Sequence, residues 1–293
     1  KHLSNKENTR VFDALKTFYP LALLLENLDL VKSSYFYHRS QAKLPDKYAD
    51  LRVMLKDIFI ESRRTYGYRR MHDVLKKQNI VVSEKVVRRL MKEEKLIVHS
   101  VTKKKYSSYA GEITPATPNL IQRNFKAEAP DKKWLTDITE FRIPAGKVYL
   151  SPIIDCFDGA LVSWTISTQP NAELVNSMFD QALDTLADNS KPIIHSDRGA
   201  HYRWPGWIER IKTNGLTQSM SKKGCSPDNS ACEGFFGRLK NEFFYGFKWD
   251  NISIDAFIEL LDDYLHWYNN KRIKLSLGGL SPIDYRKKLG LIA

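Results

Sequence analysis

The sequence predicts an α/β fold: a mixed sheet of about five strands, preceded by all-α helix-turn-helix segments. Three observations predict it. Apolar residues recur at helical spacing over the first part of the chain and in short strand-like runs from Trp134 onward. The positive excess is confined to the first part: residues 1–130 hold 26 Lys and Arg against 14 Asp and Glu, whereas 131–293 hold 20 of each. After three strand-like runs, helix and strand patterns alternate, the order of a sheet covered by helices.

Residues 11–19 and 21–28 carry helical patterns, and Asp29-Leu30 breaks them. The aromatic, basic segment 31–39 contains Ser33, Ser34, Tyr35, Tyr37 and Arg39. It fits a small helix-turn-helix with DNA-facing residues, a coiled-coil remnant and a packing arm equally well, and closes an N-terminal segment of 1–42. Residues 46–95 read as three helices. Asp46 caps the first, lined by Leu51, Leu55, Ile58 and Phe59. Gly67-Tyr68 opens the second, 69–78, with Met71, Val74 and Leu75 inward. Ser83 caps the third, which buries Val86, Val87, Leu90 and Met91 and turns Lys85, Arg88, Arg89 and Lys92 outward.

A short turn between two helices, with a basic outer face on the second, is the helix-turn-helix plan; the second helix enters the major groove and reads base edges or grips phosphates. A three-helix bundle with a solvated basic face is the plainer alternative. The concentration of charge, 14 basic against 5 acidic residues in 61–105, favours a nucleic-acid partner. The domain so delimited is 43–100. A basic linker, 101–130, follows with Lys103, Lys104 and Lys105, then Pro115, Pro118 and Pro130, and is suited to track along a duplex.

Strands are expected at 134–143 and 148–155, joined by the hairpin signal Pro144-Ala145-Gly146-Lys147, and at 161–167 after the turn Asp158-Gly159. A helix over 171–187 aligns Leu174, Met178, Ala182 and Leu186. A strand at 192–196 ends at Asp197, 204–213 is helical, 216–220 is a strand, and 221–227 is a loop. The helix of 228–247 presents Phe236, Leu239, Phe243 and Phe247 as one stripe. This core spans 131–250; a helix at 253–269 and a basic tail at 271–288 make up the remainder, 251–293.

Three acids sit where chemistry is expected. Asp137 lies in the first strand, Asp197 ends the fourth, and Glu233 is on the late helix, with 35 residues between the last two. Each alone reads as a strand-end or surface carboxylate, and Glu233 with Lys240, two helical turns on, reads as an ordinary ion pair. Together in this order they read as a metal cluster, since grouped carboxylates repel unless cations compensate them. Mg²⁺ suits oxygen ligands, and two such ions roughly 3.5–4 Å apart serve an in-line displacement at phosphorus. Asp155 and Asp158 are rivals, but they flank a turn, which gives them turn chemistry to do. Cys225 and Cys232, downstream of His195 and His201, lack the Cys-x2-Cys spacing of a zinc site. The three cysteines show no disulfide framework, and no apolar run approaches the roughly 18 residues of a membrane span.

The blocks 134–139, 195–199, Gln218-Ser219-Met220-Ser221 and Asp228-Asn229-Ser230 running into 233–242 resemble the transposases of the IS-three group of bacterial insertion sequences, relatives of retroviral integrases with a DD(35)E triad. Tyr268-Asn269 and Ser281-Pro282 match the family's tail; 66–70 and 87–91 match its DNA-binding segment. The resemblance covers about residues 20 to 288. It implies a ribonuclease H-like core in which Asp137, Asp197 and Glu233 are metal ligands for two Mg²⁺ ions, with Mn²⁺ able to substitute. Lys240 would hold DNA near the cut; Arg69, Arg70, Lys85, Arg88, Arg89, Lys92 and Lys103–Lys105 are the other DNA-contact candidates.

The implied reaction releases a 3′-hydroxyl at an element end and uses it to attack another phosphodiester. The implied partners are terminal inverted repeats and target double-stranded DNA, bound by a homodimer or higher homo-oligomer, in the bacterial cytoplasm at the nucleoid and with no membrane. The chain opens at Lys1 without an initiator Met, as expected of the downstream part of a frameshift fusion. It departs from the common family wording at His201 and at Cys225-Ser226-Pro227, in the loop around the site rather than in the triad. A transposition repressor with an inactive core and a nonspecific ribonuclease H-type nuclease are the competing readings. The intact acid set argues against the first, and the DNA-reading helices against the second.

Overall fold

In the computed structural model, residues 3–98, 117–187, 189–222 and 226–292 are described, and the chain divides into two compact units, Lys1–Ile58 and Phe59–Ala293. The segment 43–100 is thereby shared between the two. Lys103–Lys105 lie outside the described residues.

The first unit is helical. Ser4 starts α1 (Asn5–Leu15) with a capping box, exchanging bonds with the backbone and side chain of Glu7. α2 (Leu21–Asn27) ends before Asp29, whose φ of 47° turns the chain into α3 (Lys32–Lys43). Phe12, Leu24, Leu30 and Tyr35 form the core, with the Phe12 and Tyr35 rings 4.0 Å apart. Tyr35 is therefore a packing residue, which of the three readings of its segment fits the packing arm. Its hydroxyl donates to Asp13. α4 (Ala49–Glu61) spans the division.

In the second unit Gly67 precedes α5 (Tyr68–Lys77), and the Ser83 hydroxyl caps α6 (Glu84–Glu93) by accepting from Val86 N–H. Met71 and Leu75 from α5 and Val87, Leu90 and Met91 from α6 are buried; Lys85, Arg88, Arg89 and Lys92 are exposed, as the spacing predicts. The helix pair is tied to the far end of the chain. The Tyr66 hydroxyl donates to Lys271 O and accepts from Ile273 N–H, and Lys77 bonds Gly279 O.

The sheet is mixed and ribonuclease H-like in layout. The long first strand expected over 134–143 is broken into β1 (Lys133–Thr136) and β2 (Thr139–Ile143). Both pair antiparallel with β3 (Gly146–Asp155) in a single register, Trp134 opposite Asp155 and Thr139 opposite Leu150. The break has two causes. Asp137 takes the Ile138 N–H onto its own carboxylate, and Pro152, opposite, has no N–H to offer. On the other edge of β3 lies β4 (Leu161–Ser167), antiparallel; beyond β1 come β5 (Ile193–Ser196) and β6 (Thr217–Met220), both parallel.

α7 (Ala172–Asp184), capped by Asn171, buries Leu174, Val175, Met178, Phe179 and Ala182 against this sheet. Phe179 stacks on Trp207 of α8 (Pro205–Thr213) at 4.4 Å. α9 (Ser230–Leu239) continues into a π-helical turn, Lys240–Phe244, and α10 (Ile254–Asn270) and α11 (Pro282–Lys288) complete the chain. The helix expected over 228–247 thus ends early. Tyr245 is extended and Gly246 has φ 87°, which leaves Phe247 out of the stripe and 55% exposed.

Candidate active site

Because β1 and β5 run parallel with Thr136 opposite Ser196, the next residue of each strand, Asp137 and Asp197, leaves the sheet at neighbouring carboxyl ends, about 4.8 Å apart in strand spacing. Asp137 accepts from Ile138 N–H at 2.8 Å and from the Asn229 side-chain amide at 3.0 Å. Asp197 accepts from Gly199 N–H at 2.8 Å. Gly199 has no room for a side chain: a Cβ there would stand 2.9 Å from the Asp197 carboxylate oxygen. Glu233 is exposed on the first turn of α9, one turn beyond Asn229.

Electrostatics couple the three. Burial pushes the Asp137 carboxyl up to about 7, reinforced by the charges of Asp197 and Glu233 and opposed by its two hydrogen bonds. Asp197 is raised as well, by burial, against the Gly199 amide and the nearby charges of His201 and Arg203. Tyr202 and Cys232 form a buried floor that feels both aspartates; each is held neutral, well above its ordinary value. Among the described residues no cation forms an ion pair with any of the three acids, and no trio of His, Cys, Asp or Glu is drawn tightly enough to grip an ion by itself.

Lys240 sits at the start of the π turn, half-buried, with its ammonium 5.5 Å from the Phe141 ring. Burial lowers its pKa, and the charges of Glu140 and Asp137 counter that. It makes no ion pair with Glu233 among the described residues, so the plain surface-pair reading of the two is not realised. The rivals Asp155 and Asp158 are accounted for by Arg286, which reaches them at 2.9 and 2.7 Å, and by the turn amides of Phe157 and Ala160. Of the remaining candidates, Arg69 is exposed beside Tyr68, but Arg70 turns inward toward Glu242 at 3.8 Å.

The family models place these residues in context. The description "Integrase core domain" matches residues 127–226 and, as a second model, 233–289; "HTH-like domain" matches 45–106. The putative transposase InsK for insertion sequence element IS150 of Escherichia coli is 40% identical over 279 residues, 95% of this chain and 98% of that protein. The chain belongs to the insertion-sequence transposases. A probable transposase for element IS1353 of Shigella flexneri is 54% identical over 99% of this chain, which spans 57% of that relative's length. Transposase InsF for insertion sequence IS3A of E. coli is 32% identical over 78% of this chain. Among solved structures, the catalytic core domain of HTLV-2 integrase in complex with magnesium is similar at a TM-score of 0.42 and 19% identity, over 54% of this chain and 97% of that one.

In this transposase the loop before α9 is held by a buried framework that sequence reasoning missed. Asp228, 3% exposed, accepts from Asn119, Arg123 and Lys222 N–H. His195, fully buried between Ser219 and Asp228 O, anchors the same loop to β5 and β6. Residues 118–120 add to it, with Pro118 O accepting from Met220 N–H and Leu120 N–H donating to Ser219. The only signal was the Asp228-Asn229 pair itself: a second acid just before Glu233, too buried to be a ligand and fully hydrogen-bonded.

Proposed function

We propose that the chain binds the terminal inverted repeats of its element and catalyses 3′-end strand cleavage and strand transfer, with Asp137, Asp197 and Glu233 as the reactive centre. One observation carries this reading. Two partly buried carboxylates stand at adjacent strand ends, the charge of Glu233 on α9 acts on Asp137, and among the described residues none of the three acids has an ion-pair partner. Such a set is an all-oxygen donor group; burial, and after it the charges of Asp197 and Glu233, raise Asp137 to about 7, and a hard divalent cation would offset both. Asp137, Asp197 and Glu233 are the residues that would hold two Mg²⁺ ions, or Mn²⁺ in their place. When bound, such ions acidify an attacking oxygen and neutralise charge on the phosphoryl group.

The chain's own residues do the positioning. The Asn229 amide orients Asp137, and the Gly199 amide orients Asp197. Lys240 supplies a charge at the rim for DNA near the cut. In cleavage a water oxygen displaces the 3′ oxygen from phosphorus. In transfer that 3′-hydroxyl displaces the 3′ oxygen of a second strand, one phosphoester forming as one breaks, so no nucleotide triphosphate is consumed. In this reading 43–100 binds the repeats through Lys85, Arg88, Arg89 and Lys92, the linker 101–130 follows the duplex, 131–250 cuts and joins, and two or more copies pair the element ends. The setting is the bacterial cytoplasm, at the nucleoid; no described helix is long and apolar enough to cross a membrane.

The test is incubation with Mg²⁺ and labelled end DNA, mapping cleaved and joined strands. Asp137→Asn, Asp197→Asn and Glu233→Gln are each expected to abolish both products while leaving end binding in a gel shift near that of the unsubstituted chain. Full activity in the Glu233 variant overturns the assignment.

A further inference from the structure

We propose that a hollow on another face of α9, between α5 and the segment 271–276, binds a phosphodiester of the DNA backbone. This inference rests on the DNA-transposase reading above and adds a binding point remote from the acids. The hollow, about 350 Å³, is lined by Arg70, Arg238, Arg272 and Lys274, with Asp158 the one acid on its wall. Arg238 follows Glu233 by five residues, which places it about 140° around the helix, so a backbone held there is gripped on a different side from the acids.

The internal pairing leaves an anion missing. Asp158 is spent on Arg286 and on the Ala160 amide. Arg272, 1% exposed, gives Nε and Nη2 to Glu242 at 2.7 and 2.6 Å; its Nη1 has no protein acceptor among the described residues. Lys274 directs two hydrogen bonds to the carbonyls of Asp158 and Gly159 and no ion pair to any described carboxylate. Gly159, at φ 70°, is what admits it, since a Cβ there would lie 2.5 Å from the ammonium. Arg238 is exposed and makes no ion pair among the described residues.

Arg272 and, at 3.8 Å, Arg70 share the single carboxylate of Glu242, and Arg238 and Lys274 add two positive charges with no ion pair to a described residue. Arg70 registers the deficit. Burial lowers its pKa and the neighbouring Arg272 and Arg238 lower it further, against Glu242 alone among the acids. Planar guanidinium donors and a mobile ammonium around a polar hollow suit phosphate oxygens, and Arg recognises them in a forked geometry. A phosphodiester is the occupant because the cations come from the helix-turn-helix-like segment, the helix of Glu233 and the C-terminal segment of a chain read above as binding duplex DNA. The balanced count of 20 basic and 20 acidic residues in 131–293 hides this concentration.

The experiment is a fluorescence-anisotropy titration of the full chain, in EDTA, with a labelled duplex of generic sequence at several salt concentrations. Leaving one phosphate without its cation lowers the steepness of log K against log salt by about 0.9. Arg238→Gln is expected to show that reduction, Arg238→Lys to restore it, and Arg88→Gln on α6 to remove a separate and additive increment. Thermal melting checks that Arg238→Gln folds, which its exposure favours. An unchanged slope in Arg238→Gln, beside a normal slope in the unsubstituted chain, overturns the hollow and leaves the DNA reading standing. Absence of duplex binding by the unsubstituted chain overturns both. Inorganic phosphate is the second probe: if it stabilises the unsubstituted chain but not Arg238→Gln while the duplex slope is equal in both, the hollow takes free phosphate and the proposal fails.

Discussion

Replacing Asp137 by Asn is expected to stabilise the metal-free protein, and to do so more at high pH than at low. Asp137 moves from 3.8 in the unfolded chain to about 7 in the fold. At 1.36 kcal/mol for each tenfold change, the full ionisation penalty is about 4 kcal/mol. The folded state holds the proton more tightly, so stability is highest below pH 3.8, falls as pH rises, and levels off above about 7. Integrating between pH 5 and pH 8 gives a loss of about 2.5 kcal/mol for this group alone. Asn does not titrate. It keeps one acceptor for two donors, Ile138 N–H and the Asn229 amide, and forfeits one hydrogen bond at about 1 kcal/mol, a cost that is the same at both pH values. Urea unfolding in EDTA should therefore show the Asn variant gaining about 2.5 kcal/mol on the unsubstituted chain between pH 5 and pH 8. Added Mg²⁺ should close the gap by stabilising only the unsubstituted chain. A gap that does not change with pH would refute the buried, uncompensated carboxylate on which the site rests.

Gly199→Ala should fold, since its φ of −54° suits alanine, yet the new Cβ would displace the Asp197 carboxylate; cleavage should fall at least tenfold with the melting temperature nearly unchanged. Arg272→Met should cost about 3–5 kcal/mol in equilibrium unfolding, because it strands the buried Glu242 carboxylate, and Arg272→Met with Glu242→Met should recover most of that. Replacing Arg88 and Arg89 by Ala should weaken binding to element ends in a gel shift, by about 1–3 kcal/mol for each base edge no longer read, without reducing stability, since both are exposed.

The elements were legible where a cap and a period agreed. Ser83 before α6, Asn171 before α7 and Ser253 before α10 each cap the helix their apolar spacing announces. What escaped was set by partners distant in the chain. The break at Asp137 depends on a side chain that captures the next amide and on Pro152 across the ladder, and neither shows in apolar alternation. The role of Tyr35 stayed open in the sequence because its partners Phe12 and Leu24 come from other helices. The end of α9 is a π turn followed by a left-handed Gly246, which a uniform helical period carries straight through to Phe247. Arg272, in a tail that read only as basic, is among the most buried side chains, because Glu242 arrives from thirty residues upstream.

The acids and the cationic hollow are two sides of one electrostatic arrangement. Within residues 131–293 the charges balance in number, so a fold free to pair them would bury few uncompensated groups. It pairs many: Arg286 with Asp155 and Asp158, Arg272 with Glu242, Arg210 with Asp180. Among the described residues it nevertheless gives Asp137, Asp197 and Glu233 no cation as an ion-pair partner, and Arg238 and Lys274, around another side of α9, no anion. Burial penalises the charged forms of Asp137 and Asp197, and pairing with a side-chain cation would relieve it. A divalent cation satisfies only the acids and a phosphate only the cations, whereas a metal-bound nucleic-acid strand supplies both charges at once. Charges of opposite sign left without ion-pair partners on two sides of one helix are what a protein that completes its electrostatics on DNA would require.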